Sequence, residues 1–438
     1  VANIMTQRAE VIRKILRNGP EPARQLANIM NISQPTLSRA LKMLSNDIVQ
    51  IGSGRSIQYA LRDGSRGFNS VPIYRINEEG KIKLLGKLTP VYPAGFVMEQ
   101  VDNVNRYSEG LPWWLFDMRP QGYLGRAYAA TYSAELGLPH NPDSWSDIDI
   151  IRALIAHGHD AVGNLLIGEQ AKKHFLAMPI PAAVARSTTY PTLARAVSSG
   201  EDPGSSAGGE QPKFCTYTDR GHVIVKFTAS DNNAISERWR DLLQAEHLAL
   251  KVLGVETEIF DFEGQRFLEI PRFDRVGALG RVGLFSLQAL DAQFVGRARE
   301  PWPVLVDALI EQKQVQPDAS VSTMRRWAFG MLIGNTDMHH GNLSFISRHG
   351  RPYALAPAYD ILPMGFAPKV GGEIVNTLRP ATLLDGISRE IWRESLALAE
   401  QFYTLLTHCH ALSDNFSPCL NALRNHLDEA SSRISRLE

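Results

Sequence analysis

The sequence predicts an α+β protein in which a small basic module of three helices and a hairpin precedes a larger body of two parts, one rich in strands and one rich in helices. Three observations carry this reading. The 438 residues are about three times the usual ~150-residue domain, so several cores fit in one chain. The net charge is zero, yet residues 1–66 hold ten Lys/Arg against four Asp/Glu, which makes that segment +6 and the remainder −6. Past residue 198, a glycine- and serine-rich run leads into a strand pattern, a long helix pattern and then an apolar helix followed by a polar loop.

Composition narrows the class further. With 44% hydrophobic and 21% charged residues the chain has a globular profile. Its longest apolar runs, such as Leu111 to Phe116, fall far short of the roughly 18 residues that a spanning helix needs. Cys215, Cys409 and Cys419 show no CxxC spacing, and the first residues lack a basic-then-apolar leader, so a reducing cytoplasm is the expected location.

Residues 6–17 read as a helix with Ala9, Ile12 and Leu16 on one face, stopped by Asn18, Gly19 and Pro20. Residues 23–30 form a second, short helix. Ser33 is the expected N-cap of a third, in which Leu37, Ala40, Leu41 and Leu44 follow the i, i+3, i+4, i+7 rule and leave Gln34, Thr36, Ser38, Arg39 and Lys42 outward. Strand patterns at Ile48 to Ile51 and Ile57 to Leu61, joined through Gly52, Ser53, Gly54 and Arg55, complete a winged helix-turn-helix. Its polar third helix and the Arg55 wing tip suit duplex DNA, bound by a homodimer; a helical module for protein contacts is the plainer alternative.

Short strands at Val71 to Ile76 and Lys81 to Leu85 follow, around the turn Asn77 to Gly80. Of the adjacent Trp113 and Trp114, one is expected to pack inward, because neighbours in sequence cannot share a face. Residues 147–157 read as a helix.

The chemistry lies further along. Ser205, Ser206, Ala207, Gly208, Gly209, Gln211 and Lys213 precede the strand His222 to Phe227, as a phosphate-covering loop would. On that strand Lys226 stands on an otherwise apolar face and needs an anion. Glu246 supplies one from the long helix Ile235 to Leu253. Glycine loop, strand Lys and helix Glu in that order are how protein kinases hold the phosphates of ATP. After the apolar run Trp327 to Ile333 come Asp337 and Asn342, five residues apart, an Asp to orient and deprotonate a hydroxyl and an Asn to hold Mg²⁺. Asp360 follows two further strand patterns and is the second metal ligand. Asp337, His339 and His340 could instead serve a metal hydrolase, and His408, Cys409 and His410 imitate half a zinc site; the Asn342 and Asp360 spacing favours phosphoryl transfer.

These segments, AGGEQPKF at 207–214, VIVKF at 223–227, AEHLAL at 245–250, PRFDR at 271–275, GNTDMHHGN at 334–342 and APAYDIL at 356–362, resemble the HipA family of bacterial serine/threonine kinases, in its helix-turn-helix-bearing branch. The resemblance implies a HipA-like two-lobed protein-kinase-like fold over residues 68–438. It divides the chain into a DNA-binding domain at 1–66, a small β-rich part at 67–170, a lobe with the glycine loop at 171–275 and a helical lobe with the catalytic loop at 276–438. It also implies ATP and Mg²⁺ as cofactors, His339 among the nucleotide-site residues, autophosphorylation at Ser205 or Ser206, and a toxin of the toxin–antitoxin type whose protein substrate would be an aminoacyl-tRNA synthetase. Two departures stand out. The glycine loop has an extra residue and a Pro before Lys213, and Pro271 replaces the Glu usual before RFDR, which leaves the adenine contacts open. The rival reading is a DNA-binding regulator whose body senses ATP without transferring phosphate.

Overall fold

The computed structural model describes residues 2–54, 57–101, 104–198 and 211–437, which divide into two compact units. The first comprises Val1–Asn77, Lys81–Arg119 and Ser144–Pro179, and the second Glu78–Gly80, Pro120–Asp143 and Ile180–Glu438.

In the first unit, helices Ala2–Leu16, Ala23–Met30 and Gln34–Met43 accompany a three-stranded antiparallel sheet ordered Glu21–Pro22, Gln58–Leu61, Ile48–Ile51. The helical periodicity is what buries Ile12, Leu16, Leu26, Leu37, Leu41 and Leu44 against Ile48 and Leu61. Asn31 ends the second helix at φ 49°, a left-handed conformation that Asn tolerates. Ser33 occupies the N-cap of the third helix, but its hydroxyl pairs with Thr36 Oγ1 at 2.9 Å and makes no cap bond to a backbone amide. Pro35 explains this, since it removes one of the two amides a cap can reach.

Strand alternation gives the small sheet two working faces. Ile48 and Leu61 meet the helices, whereas Val49, Ile51 and Ala60 pack on Val91, Val97 and Tyr107. These last belong to a five-stranded antiparallel sheet ordered Arg106–Ser108, Gly95–Gln100, Ile82–Val91, Val71–Ile76, Leu165–Ile167. Arg66 joins the two, donating from Nε to Asp63 Oδ2 at 2.8 Å and from Nη1 to the Gly95 carbonyl at 3.1 Å. Arg62 donates to Ser70 Oγ at 2.9 Å and faces Glu99 at 3.3 Å. Two of the basic residues counted in the N-terminal segment are thus engaged inside the unit.

The expected hairpin forms, its second strand running on to Val91. Helix Asp147–His157 begins at a capping box, Ser146 with Asp149, which fixes its start where the pattern predicts. The tryptophan expectation fails. Trp113 and Trp114 lie in a 3-10 turn, Trp113–Met118, and both stay half-exposed while Leu115 and Met118 turn inward, as the three-residue repeat of that helix dictates.

The second unit opens on a four-stranded antiparallel sheet ordered Glu258–Phe262, Gln265–Pro271, Gly221–Phe227, Lys213–Thr218. One face carries Phe214, Val223, Val225, Phe227 and Phe267 against Tyr123 of helix Gly122–Leu136 and Tyr190 of helix Arg186–Ser198. Toward the other, Leu268 and Ile270 join Leu242, Ala249 and Leu250 of helix Ala234–Val252 in a core that continues into the helices Ala319–Leu332, Arg389–Thr407 and Ser417–Ser435. Between Ala319–Leu332 and the strand Ser344–Ser347 the chain forms the polar loop singled out in the sequence. Among the described residues no helix is long and apolar enough to cross a membrane.

Candidate active site

Strand register sets the first charges. Lys226 pairs directly opposite Lys213, so both side chains leave the same face of the sheet. Lys213, read from sequence as loop, is therefore the first residue of a strand. Like charges placed opposite each other repel, and the arrangement needs carboxylates to hold it.

They come from two distant segments. Helix Ala234–Val252 starts at Asn233, whose side chain accepts from Ser236 N at 2.9 Å, and it carries Glu246 to a position with no exposure at all. Lys226 Nζ donates to Glu246 Oε1 at 2.6 Å and also to Asp360 Oδ1. Asp360 sits at φ 53°, a left-handed conformation uncommon outside glycine, and that turn of the backbone accompanies the approach of its carboxylate to Lys226.

The electrostatics distinguish the two acids. Burial pushes the Asp360 carboxyl upward, but Lys226 first, and then Lys213, outweigh it and hold the group at about 2. For Glu246 burial prevails and its affinity for a proton rises despite Lys226. Burial also works against the charge on Lys226, and the two carboxylates more than reverse that, so its ammonium is held above the ordinary lysine range. Lys226 and Asp360 are the firmly ionised pair. Glu246 Oε2 is buried with no hydrogen-bond partner, as is Gln211 Oε1.

The polar loop is organised by a residue that the sequence reading passed over. Asn335, 2% exposed, accepts from Asp337 N at 3.0 Å through Oδ1 and reaches the Asp360 carbonyl at 3.5 Å through Nδ2, linking the loop to the second acid. Asn342 Nδ2 donates to the Asp337 carbonyl at 2.8 Å. That bond uses one of the two N–H donors, fixes the orientation of the amide and leaves Oδ1, the atom a hard cation prefers. The Asp337 side chain is half exposed, with His339 Nε2 4.0 Å from its Oδ1. His339 Nδ1 accepts from Gly341 N at 3.0 Å, so the neutral ring carries its proton on Nε2, facing Asp337. Gly334 permits the tight entry to the loop: at φ 77°, a Cβ there would stand 2.7 Å from Leu378 Cδ2. Beside Asp360, the Tyr359 ring lies 5.6 Å from that of Phe273 and its hydroxyl donates to the Gly341 carbonyl at 2.8 Å.

The structure thus brings together Lys226, Glu246 and Asp360, and separately ties Asp337 to Asn342 and Asn335. Ser205, Ser206, Ala207, Gly208, Gly209 and Arg55 lie outside the described residues. The donor set fits a nucleotide–metal pair on three counts: a free amide oxygen at Asn342, an orphaned buried oxygen on Glu246, and Asp360 Oδ2 with no protein partner among the described residues.

On the first unit, Gln34, Ser38, Arg39 and Lys42 are exposed on the third helix, whereas Thr36 is half-buried and bonded to Ser33. Arg39 Nε folds back to the Pro35 carbonyl at 3.4 Å. Gln34, Ser38 and Lys42 line an open groove of about 570 Å³ together with Ser45, Gln50 and Tyr59.

Comparison with known proteins identifies the family. Residues 68–176 match the model of the YjjJ-like toxin middle domain, and residues 205–415 that of the HipA-like C-terminal domain. Among solved structures, Shewanella oneidensis MR-1 HipA, determined with HipB and operator DNA, aligns with a TM-score of 0.51 at 16% identity, covering 84% of this chain and 97% of that one. The Helicobacter pylori proinflammatory kinase CtkA covers 51% of this chain and 88% of its own at 15% identity, with a TM-score of 0.36. The family models and the fold together define a HipA-like, kinase-like protein. Toxin YjjJ of Escherichia coli (strain K12) is 34% identical over 97% of this chain and 98% of its own length. The chain belongs to the YjjJ family of HipA-like toxins.

Proposed function

We propose that this protein is an ATP- and Mg²⁺-dependent serine/threonine protein kinase of toxin type that also binds duplex DNA through its N-terminal winged helix-turn-helix. The observation that carries the kinase reading is the buried Lys226 ammonium held between Glu246 and Asp360, beside a loop whose Asn342 amide is oriented by its bond to the Asp337 carbonyl. Lys226, with Lys213 beside it, neutralises charge on the nucleotide phosphates. Asp337 orients a substrate hydroxyl and takes its proton as the bond from that oxygen to the γ-phosphorus forms and the bond to ADP breaks. Asn342 Oδ1 and Asp360 would hold Mg²⁺, which when bound supplies charge stabilisation to the phosphoryl oxygens. Phe273 and Tyr359 offer an aromatic surface against which a purine can lie. An aminoacyl-tRNA synthetase is the protein substrate class, and Ser205 or Ser206 the autophosphorylation site. Incubation with labelled ATP and Mg²⁺, followed by mass spectrometry of the chain and of a cell lysate, should show phosphate on Ser205 or Ser206 and on a lysate protein. Labelling of neither would leave a nucleotide-sensing regulator.

DNA binding is supported by the exposed polar row on the third helix and by its groove, which contains one cation, Lys42, and no acid. The HipA relative was solved with operator DNA, though beside a separate HipB chain. Two such modules on a homodimer would address two half-sites. Lys42→Ala should weaken binding to all sequences alike and lower the salt slope by about 1, whereas Arg39→Ala should also relax sequence preference. Gel shifts across a salt series distinguish these outcomes, and parent-like binding by both variants would remove this face from the DNA interface.

A further inference from the structure

The helix that supplies Glu246 also carries Arg238, which is 4% exposed and has no carboxylate partner among the described residues. Its Nη1 donates to the carbonyls of Phe366 at 2.9 Å and Val375 at 2.8 Å, and its Nη2 to Asn376 Oδ1 at 2.7 Å. All three acceptors lie on the stretch that follows Asp360. The Phe416 ring lies 5.5 Å from the guanidinium carbon. One turn further along the helix, Asp241 accepts from Ser413 N at 2.9 Å and from Ser413 Oγ at 2.6 Å. Helix Ala234–Val252 is therefore fastened to Lys226 at one end and to the post-Asp360 segment at the other.

In protein kinases the Lys–Glu pair and the metal-binding Asp must be in place together, and a phosphate on the segment after that Asp, caught by arginine, commonly brings this about. Here the guanidinium is satisfied by two carbonyls and an amide, all neutral and all belonging to the chain itself. We infer that Arg238 is a positioning residue that keeps Glu246, Lys226 and Asp360 assembled without any phosphate on the segment, so that the kinase-like body is ordered as synthesised. The inference rests on the nucleotide-binding reading above. An outward swing of the helix would break the Lys226–Glu246 bond and all three Arg238 bonds at once, so the four bonds oppose it together.

The test uses full-length, phosphatase-treated protein and Mg-ATP as the probe, with calorimetry below the melting temperature and hydrogen exchange over residues 363–378. Arg238→Met should weaken Mg-ATP at least tenfold and deprotect that segment, with Arg238→Lys intermediate. Combined with Glu246→Gln, the loss should stay within about twofold of the larger single effect, because both substitutions act through one helix position. A purely structural role would lower the melting temperature and leave Mg-ATP affinity unchanged. That result, multiplicative losses in the double variant, or a parent protein that loses Mg-ATP affinity on phosphatase treatment would each overturn the inference. A parent that binds no Mg-ATP before or after treatment would instead overturn the nucleotide-binding reading and this inference with it. Should Arg238→Met not fold, Arg238→Lys and its double variant carry the same comparison.

Discussion

Asp337→Ala is expected to cut phosphoryl transfer by about a thousandfold or more while leaving Mg-ATP affinity close to that of the parent. The structure gives both halves of this outcome. The carboxylate is half exposed and, among the described residues, bonds to no buried group, while the loop is held by the Asp337 backbone, whose amide donates to Asn335 Oδ1 and whose carbonyl accepts from Asn342 Nδ2. An alanine keeps both backbone bonds, so the loop retains its shape and Asn342 its orientation. What disappears is the group to which the proposed mechanism gives the positioning of the hydroxyl and the removal of its proton. Single-turnover transfer measured beside calorimetric binding separates the two effects, and transfer at the parent rate would show that this loop is not the catalytic one.

Lys226→Met should have the larger effect on stability, about 3–5 kcal/mol at neutral pH, the range found when one partner is removed from a buried ion pair. The loss follows from what remains, two carboxyls deprived of the ammonium they shared. Without it Glu246, already raised by burial, would rise further, and Asp360 would lose the first of the cations that hold it down against burial. A raised carboxyl contributes stability fully below its unfolded pKa, near 4, and loses it as pH rises through the folded value. The variant should therefore approach the parent in stability as pH falls from about 7.5 to about 4.5, the reverse of the parent's own Asp360, whose lowered pKa favours folding above about 4 and ceases to do so toward 2. Urea titrations at the two pH values measure this. Adding Glu246→Gln should restore part of the loss, and a deficit independent of pH would mean that packing, and not charge, is what Lys226 supplies.

The charged residues of the site were legible in sequence because each sits in a short segment of fixed local geometry. A strand that is apolar except for His222 and Lys226 and an Asp and Asn five apart on one loop need no distant information. Lys213 required the register of two strands, and Arg238 and Asn335 required knowing which distant carbonyls they would meet. Of the fold, the first three helices and the strands around Lys226 follow from clean periodicity. Helix Gly122–Leu136 is built largely of Gly, Ala and Tyr and shows little contrast between its faces, while helix Arg186–Ser198 contains Pro191, which reads as a break. Both are specified by the aromatic layer beneath them, to which Tyr123 and Tyr190 belong.

The small sheet of the first unit, with Val49, Ile51 and Ala60 closed over Val91, Val97 and Tyr107, means that the N-terminal module is no removable appendage. Excising residues 1–66 would strip an apolar surface from the neighbouring strands and take away the Arg66 donor from the Gly95 carbonyl, so a shortened chain would fail for reasons unrelated to any nucleic acid. Single exposed side chains such as Lys42 are the sound way to silence this surface. For the lineage the same joint has a cost and a benefit: the helices are not readily shuffled away from the five-stranded sheet, and whatever they recognise is inherited with that sheet.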